Sequence, residues 1–208
     1  MNAECAKEQV AYYMRRLYGR CLTTTLGGNI SIRIDDTTVA ITPSGTDKGA
    51  ITAEEVGVVD LEGNLVSGRF KTSIETELHL AVYRKRADIN AIVHAHPVTI
   101  CAFAASTAEL NCSMIIESAA LIGRVAYADY HPMGTPELAS AVAEAAESAN
   151  CIIMRNHGGL AAGSGIVEAF ERLEVMENAA KMTLIAMGPL KGTLSLLKDE
   201  QINSALHI

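Results

Sequence analysis

Asn29-Ile30-Ser31-Ile32-Arg33-Ile34, then Asp35-Asp36, then Val39-Ala40-Ile41: this stretch alternates polar and apolar residues up to a pair of turn formers and resumes beyond them. Period two marks a half-buried strand, and strand, turn, strand in close succession predicts an antiparallel hairpin. Downstream, Val56-Gly57-Val58-Val59-Asp60 and Leu65-Val66, joined by Glu62-Gly63-Asn64, predict a second hairpin. Between the two, Thr52-Ala53-Glu54-Glu55 has capping-box spacing and predicts a short helix. Upstream, Val10, Tyr13, Met14 and Leu17 recur every three or four residues, as on an amphipathic helix running from about Ala3 to Gly19.

The rest of the chain alternates helix and strand signals. A helix is expected from Ser73 to Arg86, a strand ending in His94, a helix over Thr99 to Ala105 and a short strand at Val125-Ala126-Tyr127. Thr135-Pro136-Glu137 is an N-cap with proline in the first turn, starting a helix that runs to about Ser148. Cys151-Ile152-Ile153-Met154 reads as a buried strand. A long helix over Ile166 to Met187 carries a stripe of Phe170, Leu173, Met176, Ala180 and Leu184, for core or subunit interface, and is stopped by Gly188-Pro189. No repeat, low-complexity segment or long linker divides the chain, so residues 1–208 are read as one domain. Hairpins alternating with helices predict an α/β fold, a three-layer α/β/α domain with a mainly antiparallel central sheet, not a doubly wound parallel one. The G-x-G-x-x-G fingerprint of dinucleotide folds is absent.

A net charge of -7 excludes nucleic acid as the expected partner, because a phosphate backbone requires a basic surface. Met1-Asn2-Ala3-Glu4-Cys5-Ala6-Lys7-Glu8 lacks the apolar core of a signal peptide. No apolar run nears the roughly 20 residues that span a bilayer. A cytoplasmic protein without a membrane partner is expected. Five cysteines, an odd number with no C-x-x-C spacing, fit reduced thiols, and Cys101 and Cys151 are read as packing residues.

The chemistry gathers around Val93-His94-Ala95-His96-Pro97. On a strand, residues i and i+2 face the same side, so His94 and His96 can converge on one metal ion. A catalytic zinc usually takes three protein ligands and keeps a position open. His157, in Asn156-His157-Gly158-Gly159 after the second apolar strand, is the candidate third ligand. His79 lies on a helical pattern, His131 precedes a proline and His207 is near the chain end, so these are set aside. Leu26-Gly27-Gly28-Asn29 and Thr42-Pro43-Ser44-Gly45 are small-residue loops at strand ends, where backbone N–H groups and a hydroxyl can wrap an anion or simply make a turn. Glu75 also has two readings: the acidic half of a capping box begun by Thr72, or a carboxylate that moves protons beside a dication.

Gly28-Asn29-Ile30-Ser31, Thr42-Pro43-Ser44-Gly45, Ser73-Ile74-Glu75, His94-Ala95-His96 and Asn156-His157-Gly158, in this order and at these separations, resemble the class II aldolase and adducin-like family. Within it they resemble most the fuculose-phosphate aldolase branch, over nearly the whole chain. The resemblance implies zinc, or another divalent transition metal, on His94, His96 and His157. It implies that Glu75 ligates the empty site and serves as acid/base once substrate displaces it. Gly28, Asn29, Ser44, Gly45 and Ser73 are implied as the pocket for the substrate phosphate. A homotetramer with sites between subunits is implied, in carbohydrate metabolism.

The expected reaction is a lyase cleavage of a phosphorylated ketose to dihydroxyacetone phosphate and an aldehyde. Its enediolate needs a Lewis acid, and no Schiff-base lysine is required. A dehydratase or epimerase acting on a related sugar phosphate is the alternative, and a non-catalytic adducin-like module the third reading. Three departures bear on the substrate. Leu26 and Ile74 stand where that branch has hydroxyl residues, and its aromatic proton donor has no tyrosine counterpart in Ser113-Met114-Ile115-Ile116-Glu117. Lys48 is read as a solvated surface lysine.

Overall fold

The alternation at the opening hairpin becomes a division of the sheet into two faces. In β1 (Asn29–Arg33), Ile30 and Ile32 join one core cluster, while Asn29 and Ser31 face the other way. β1 pairs antiparallel with β2 (Thr38–Ile41), which continues to β3 (Gly57–Asp60) and β4 (Leu65–Ser67) as a meander of hairpins. On its other edge β1 pairs antiparallel with β5 (Ala91–Ala95), which sets Asn29 opposite His94 and Ser31 opposite Ile92. β6 (Val125–Ala128), β7 (Cys151–Met154) and β8 (Gly158–Gly163) complete an eight-stranded sheet of order β4-β3-β2-β1-β5-β8-β7-β6. Every neighbouring pair is antiparallel except β6 with β7. The computed structural model describes all residues but 70, 189, 192 and 206–208, so Pro189 as helix stop and His207 lie outside the described residues.

Helices cover both faces, as the three-layer expectation requires. α1 (Ala3–Gly19), α3 (Val98–Ala104) and α6 (Ile166–Met187) bury Val10, Met14, Phe103, Phe170, Leu173 and Met176 against Ile30, Val93 and Ile153. α2 (Thr76–Lys85) and α5 (Pro136–Ala146) bury Leu78, Leu80, Leu138 and Val142 against Val39, Ile92 and Ile152. Each such side chain contributes about 1.5–3 kcal/mol on full burial. Thr135 caps α5 by accepting from the Leu138 amide at 3.3 Å, and Glu55 accepts from the Thr52 amide at 2.8 Å, as their motifs predict. The latter segment is a single 3₁₀ turn over Ala53–Glu55. Among the described residues, no helix is long and apolar enough to cross a membrane.

Strand β8 and the helices α4 (Ile116–Leu121) and α7 (Asp199–Ala205) are not foreseen in the sequence. Gly158-Gly159-Leu160-Ala161-Ala162-Gly163 lacks the β-branched residues that mark strands. It lies inside the sheet because small residues admit the helices: a Cβ on Gly159 would lie 2.9 Å from Ile100 Cγ2 and 3.1 Å from Met176 Cε. α4 and α7 have six and seven residues, too few to show a helical period.

Candidate metal centre

Strand parity sends His94 to the α2 side of the sheet, and His96 follows two residues later. The third histidine arrives through the tight β7–β8 turn, Arg155-Asn156-His157, closed by the pairing of Met154 with Gly158. Asn156 adopts φ 55°, a left-handed conformation that asparagine tolerates. The ring centroids are 4.8 Å apart for His94 and His96, 5.0 Å for His94 and His157, and 5.4 Å for His96 and His157. One ligand atom from each of the three lies within 4.8 Å of the others.

Protonation at one end of His94 is fixed: Nδ1 donates to the Gly159 carbonyl at 2.9 Å, which turns Nε2 toward the cluster. The Nε2 atoms of His94 and His157 are buried without a hydrogen-bond partner. Burial, reinforced by His94 and His157, holds the His96 pKa down to about 4, so this ring is a neutral donor near pH 7. Orphaned imidazole nitrogens converging on one point fit a divalent transition metal.

Glu75 completes the group, and the capping-box reading is corrected. α2 begins at Thr76, not Ser73, and Glu75 itself occupies the N-cap position without making a side-chain cap bond. Its carboxylate turns to the histidines instead, with Oε2 3.3 Å from His94 Nε2 and Oε1 3.1 Å from His157 Nε2. Burial opposes its ionisation, yet the two imidazoles hold its pKa well below the usual carboxylate range. Burial likewise opposes protonation of His94, but the Glu75 carboxylate outweighs it and raises that pKa. A carboxylate only 5% exposed demands a positive charge among these rings, whether proton or metal.

Residues 8–184 match the class II aldolase and adducin N-terminal domain. The chain belongs to the class II aldolase and adducin family. An L-fuculose phosphate aldolase of Methanococcus maripaludis is 38% identical over 171 residues, covering 82% of this chain and 92% of that protein. A 3-oxo-tetronate 4-phosphate decarboxylase of Haemophilus influenzae is 32% identical and covers 88% of each. A solved L-fuculose 1-phosphate aldolase superposes with a TM-score of 0.86 at 34% identity, covering 97% of this chain and 94% of its own.

Of the loop residues singled out in the sequence, Gly28, Asn29 and Ser73 have contacts that lead to the cluster. Gly28, at φ 69°, brings its Cα so close to β5 that a Cβ would lie 2.8 Å from the His94 carbonyl oxygen. Pro43 bridges to Thr72, and the Ser44 amide donates to the Lys71 carbonyl at 2.9 Å, which sets Ser44 and Gly45 beside the strand end leading to Ser73. The Asn29 side chain points inward, donating to Glu75 and to Ser73, and is 3% exposed. Leu26 and Ile74 are 63% and 50% exposed. Lys48 is not a surface lysine. It is 2% exposed, with its amide donating to the Thr25 carbonyl and Nζ to the Pro43 carbonyl at 2.6 Å, so it ties the two small-residue loops together. Burial pushes its pKa down to about 8.

Two supports of the site are not read from the sequence. Pro97 offers no side-chain acceptor at the start of α3, and Glu177 of α6 takes the Thr99 and Ile100 amides at 3.3 and 3.0 Å, fixing the chain just past His96. His79, set aside as a helical residue, packs behind Asn29. Its spacing of four from Glu75 was the available signal, since i and i+4 share a helix face.

Gly158 is where the histidine geometry is most exposed to a small change. A Cβ there would lie 2.6 Å from His96 Cδ2 and 2.7 Å from the Ala95 carbonyl oxygen. Gly158→Ala is expected to weaken divalent-metal binding about 10- to 100-fold, the range for lost support of a ligand. Competition against a chromophoric chelator measures it, and unchanged affinity would show that the hairpin yields instead.

Proposed function

We propose that the protein is a zinc-dependent aldolase that cleaves a phosphorylated ketose, L-fuculose 1-phosphate or a related sugar phosphate, to dihydroxyacetone phosphate and an aldehyde. The observation that carries this reading is the buried Glu75 carboxylate lying against two of three converging imidazoles. His94, His96 and His157 would hold the metal, which supplies a Lewis acid for negative charge developing on the substrate oxygens. Glu75 moves the proton. In the cleavage direction Glu75 takes the proton of the hydroxyl that becomes the aldehyde oxygen, the carbon–carbon bond breaks with its electron pair kept by the dihydroxyacetone phosphate half, and Glu75 returns the proton to that carbon. In the condensation direction the ionised carboxylate removes it.

Gly28, Ser44, Gly45 and Ser73 are proposed as donors to the phosphate, with Asn29 shared between that pocket and Glu75. Exposed Leu26, Ile74 and Val98 beside these segments supply apolar surface that a homotetramer would cover. A second reading, loss of carbon dioxide from an oxo-acid phosphate, is favoured by the decarboxylase relative. It uses the same charge stabilisation on a different leaving fragment.

Incubating the zinc-loaded protein with dihydroxyacetone phosphate and a panel of aldehydes, and separately with oxo-tetronate phosphates, distinguishes the two by product. On either reading the phosphorylated substrate is expected to turn over far better than its free form, with inorganic phosphate competing. Leu26→Thr with Ile74→Ser is expected to tighten phosphate binding, each new charge-assisted hydrogen bond contributing about 1.5–3 kcal/mol. Equal turnover of free and phosphorylated sugars, without inhibition by phosphate, refutes the sugar-phosphate assignment.

A further inference from the structure

Behind Glu75 a line of polar side chains runs into the core on the α2 face of the sheet. Asn29 Nδ2 donates to Glu75 Oε2 at 2.8 Å and to Ser73 Oγ at 3.2 Å, and its Oδ1 meets His79 Nε2. Ser31 Oγ lies 2.6 Å from His79 Nδ1, and the Tyr83 hydroxyl lies 2.8 Å from Ser31 Oγ. Asn29, Ser31, His79 and Tyr83 are each at most 3% exposed. The arrangement follows from two local periods: Asn29 and Ser31 are i and i+2 on β1, and Glu75, His79 and Tyr83 succeed one another at i+4.

The direction of every hydrogen follows from the carboxylate end. An ionised Glu75 only accepts, so Asn29 must present its NH2 to it and its carbonyl to His79. That carbonyl requires a hydrogen on Nε2. A neutral imidazole then has a bare Nδ1, which accepts from the Ser31 hydroxyl, and the Ser31 oxygen accepts from Tyr83. Reversing one link would set donor against donor or acceptor against acceptor in a buried site, where unmet polar groups are most costly. Burial, assisted by His94, holds the His79 pKa down to about 3, so the ring stays neutral near pH 7.

We propose that His79 is a positioning residue. Its Nε2–H fixes the Asn29 amide with the NH2 toward Glu75, which tethers Oε2 beside His94 and leaves Oε1 turned to His157. Its effect on turnover rests on the reading of Glu75 as the acid/base group; the hydrogen-bond polarity does not.

Nitrogen NMR of the zinc-loaded protein reads that polarity without substrate. His79 is expected with Nε2 protonated and Nδ1 bare near neutral pH, and the Asn29 side-chain NH2 is expected to exchange slowly. In turnover, His79→Leu is expected to lower kcat about 10- to 100-fold with zinc stoichiometry unchanged. KM should stay within about twofold, the mark of an interaction that acts in the chemical step. His79→Gln, whose Nε2 hydrogens reach the same carbonyl, is expected to recover most of kcat. A purely structural role would lower the melting temperature without this split or this rescue. Should the leucine variant fail to fold, His79→Asn serves: its shorter amide keeps the position polar but leaves the Asn29 carbonyl without its donor, and kcat falls. A His79 protonated on Nδ1, a foldable His79→Leu or His79→Asn enzyme with wild-type kcat, or a glutamine variant as slow as the leucine one overturns the proposal. If the NMR result holds while no variant of Glu75 affects turnover, it is the acid/base reading that fails.

Discussion

Glu75→Gln is expected to lower kcat about a hundredfold to ten-thousandfold, the usual loss on removing a general acid/base. Its melting temperature should move by only a few degrees. Loss of a working N-cap would cost about 0.5–2 kcal/mol, but Glu75 makes no cap bond to α2, so that contribution is not there to lose. Glutamine keeps the volume, and its carbonyl can still accept from Asn29 Nδ2 in place of Oε2. It loses the charge that faces His94 and His157 and the capacity to carry a proton. Steady-state kinetics beside a thermal melt therefore separate the roles. A Glu75→Gln enzyme of normal activity refutes acid/base function, whereas a large drop in melting with proportionate loss of active protein would restore the structural one.

What the sequence makes legible here is whatever repeats over a short distance. The alternation at Asn29–Arg33, the stripe on α6 and the caps at Thr52 and Thr135 are local, and the structure places each element where its pattern predicts. The H-x-H pair is legible for the same reason, since two residues on one strand face need no tertiary information to converge. β8 is not legible, because its glycines Gly159 and Gly163 answer to Ile100, Met176 and Ala169 across the core. Lys48 misleads in the same way. Only the fold brings the Thr25 and Pro43 carbonyls around it and withdraws it from water. Glu75 shows the limit most clearly: three residues after Thr72 it matches a capping box, and the match is overridden because the chain delays the helix to Thr76 and turns the carboxylate toward β5.

Removing His157 tests the cluster as a whole. His157→Ala is expected to lose nearly all bound zinc while the fold survives, because the β7–β8 hairpin is held by strand pairing and by Ile152, Ile153, Met154 and Leu160, all fully buried, not by the imidazole. Two histidines leave a zinc site short of the three protein ligands a catalytic centre uses. Bound metal stabilises the folded state by mass action, by about 4.1 kcal/mol at a thousandfold excess over Kd. Chelation should therefore lower the melting temperature of the wild-type protein and leave that of His157→Ala unmoved, since the variant has no metal to give up. His131→Ala, outside the cluster, is the matched control and should keep both zinc and the chelator response. Elemental analysis of the three proteins, alongside melts with and without chelator, reads the result. A His157→Ala protein with full zinc and full turnover would mean that the turn after β7 presents this ring to something other than the metal.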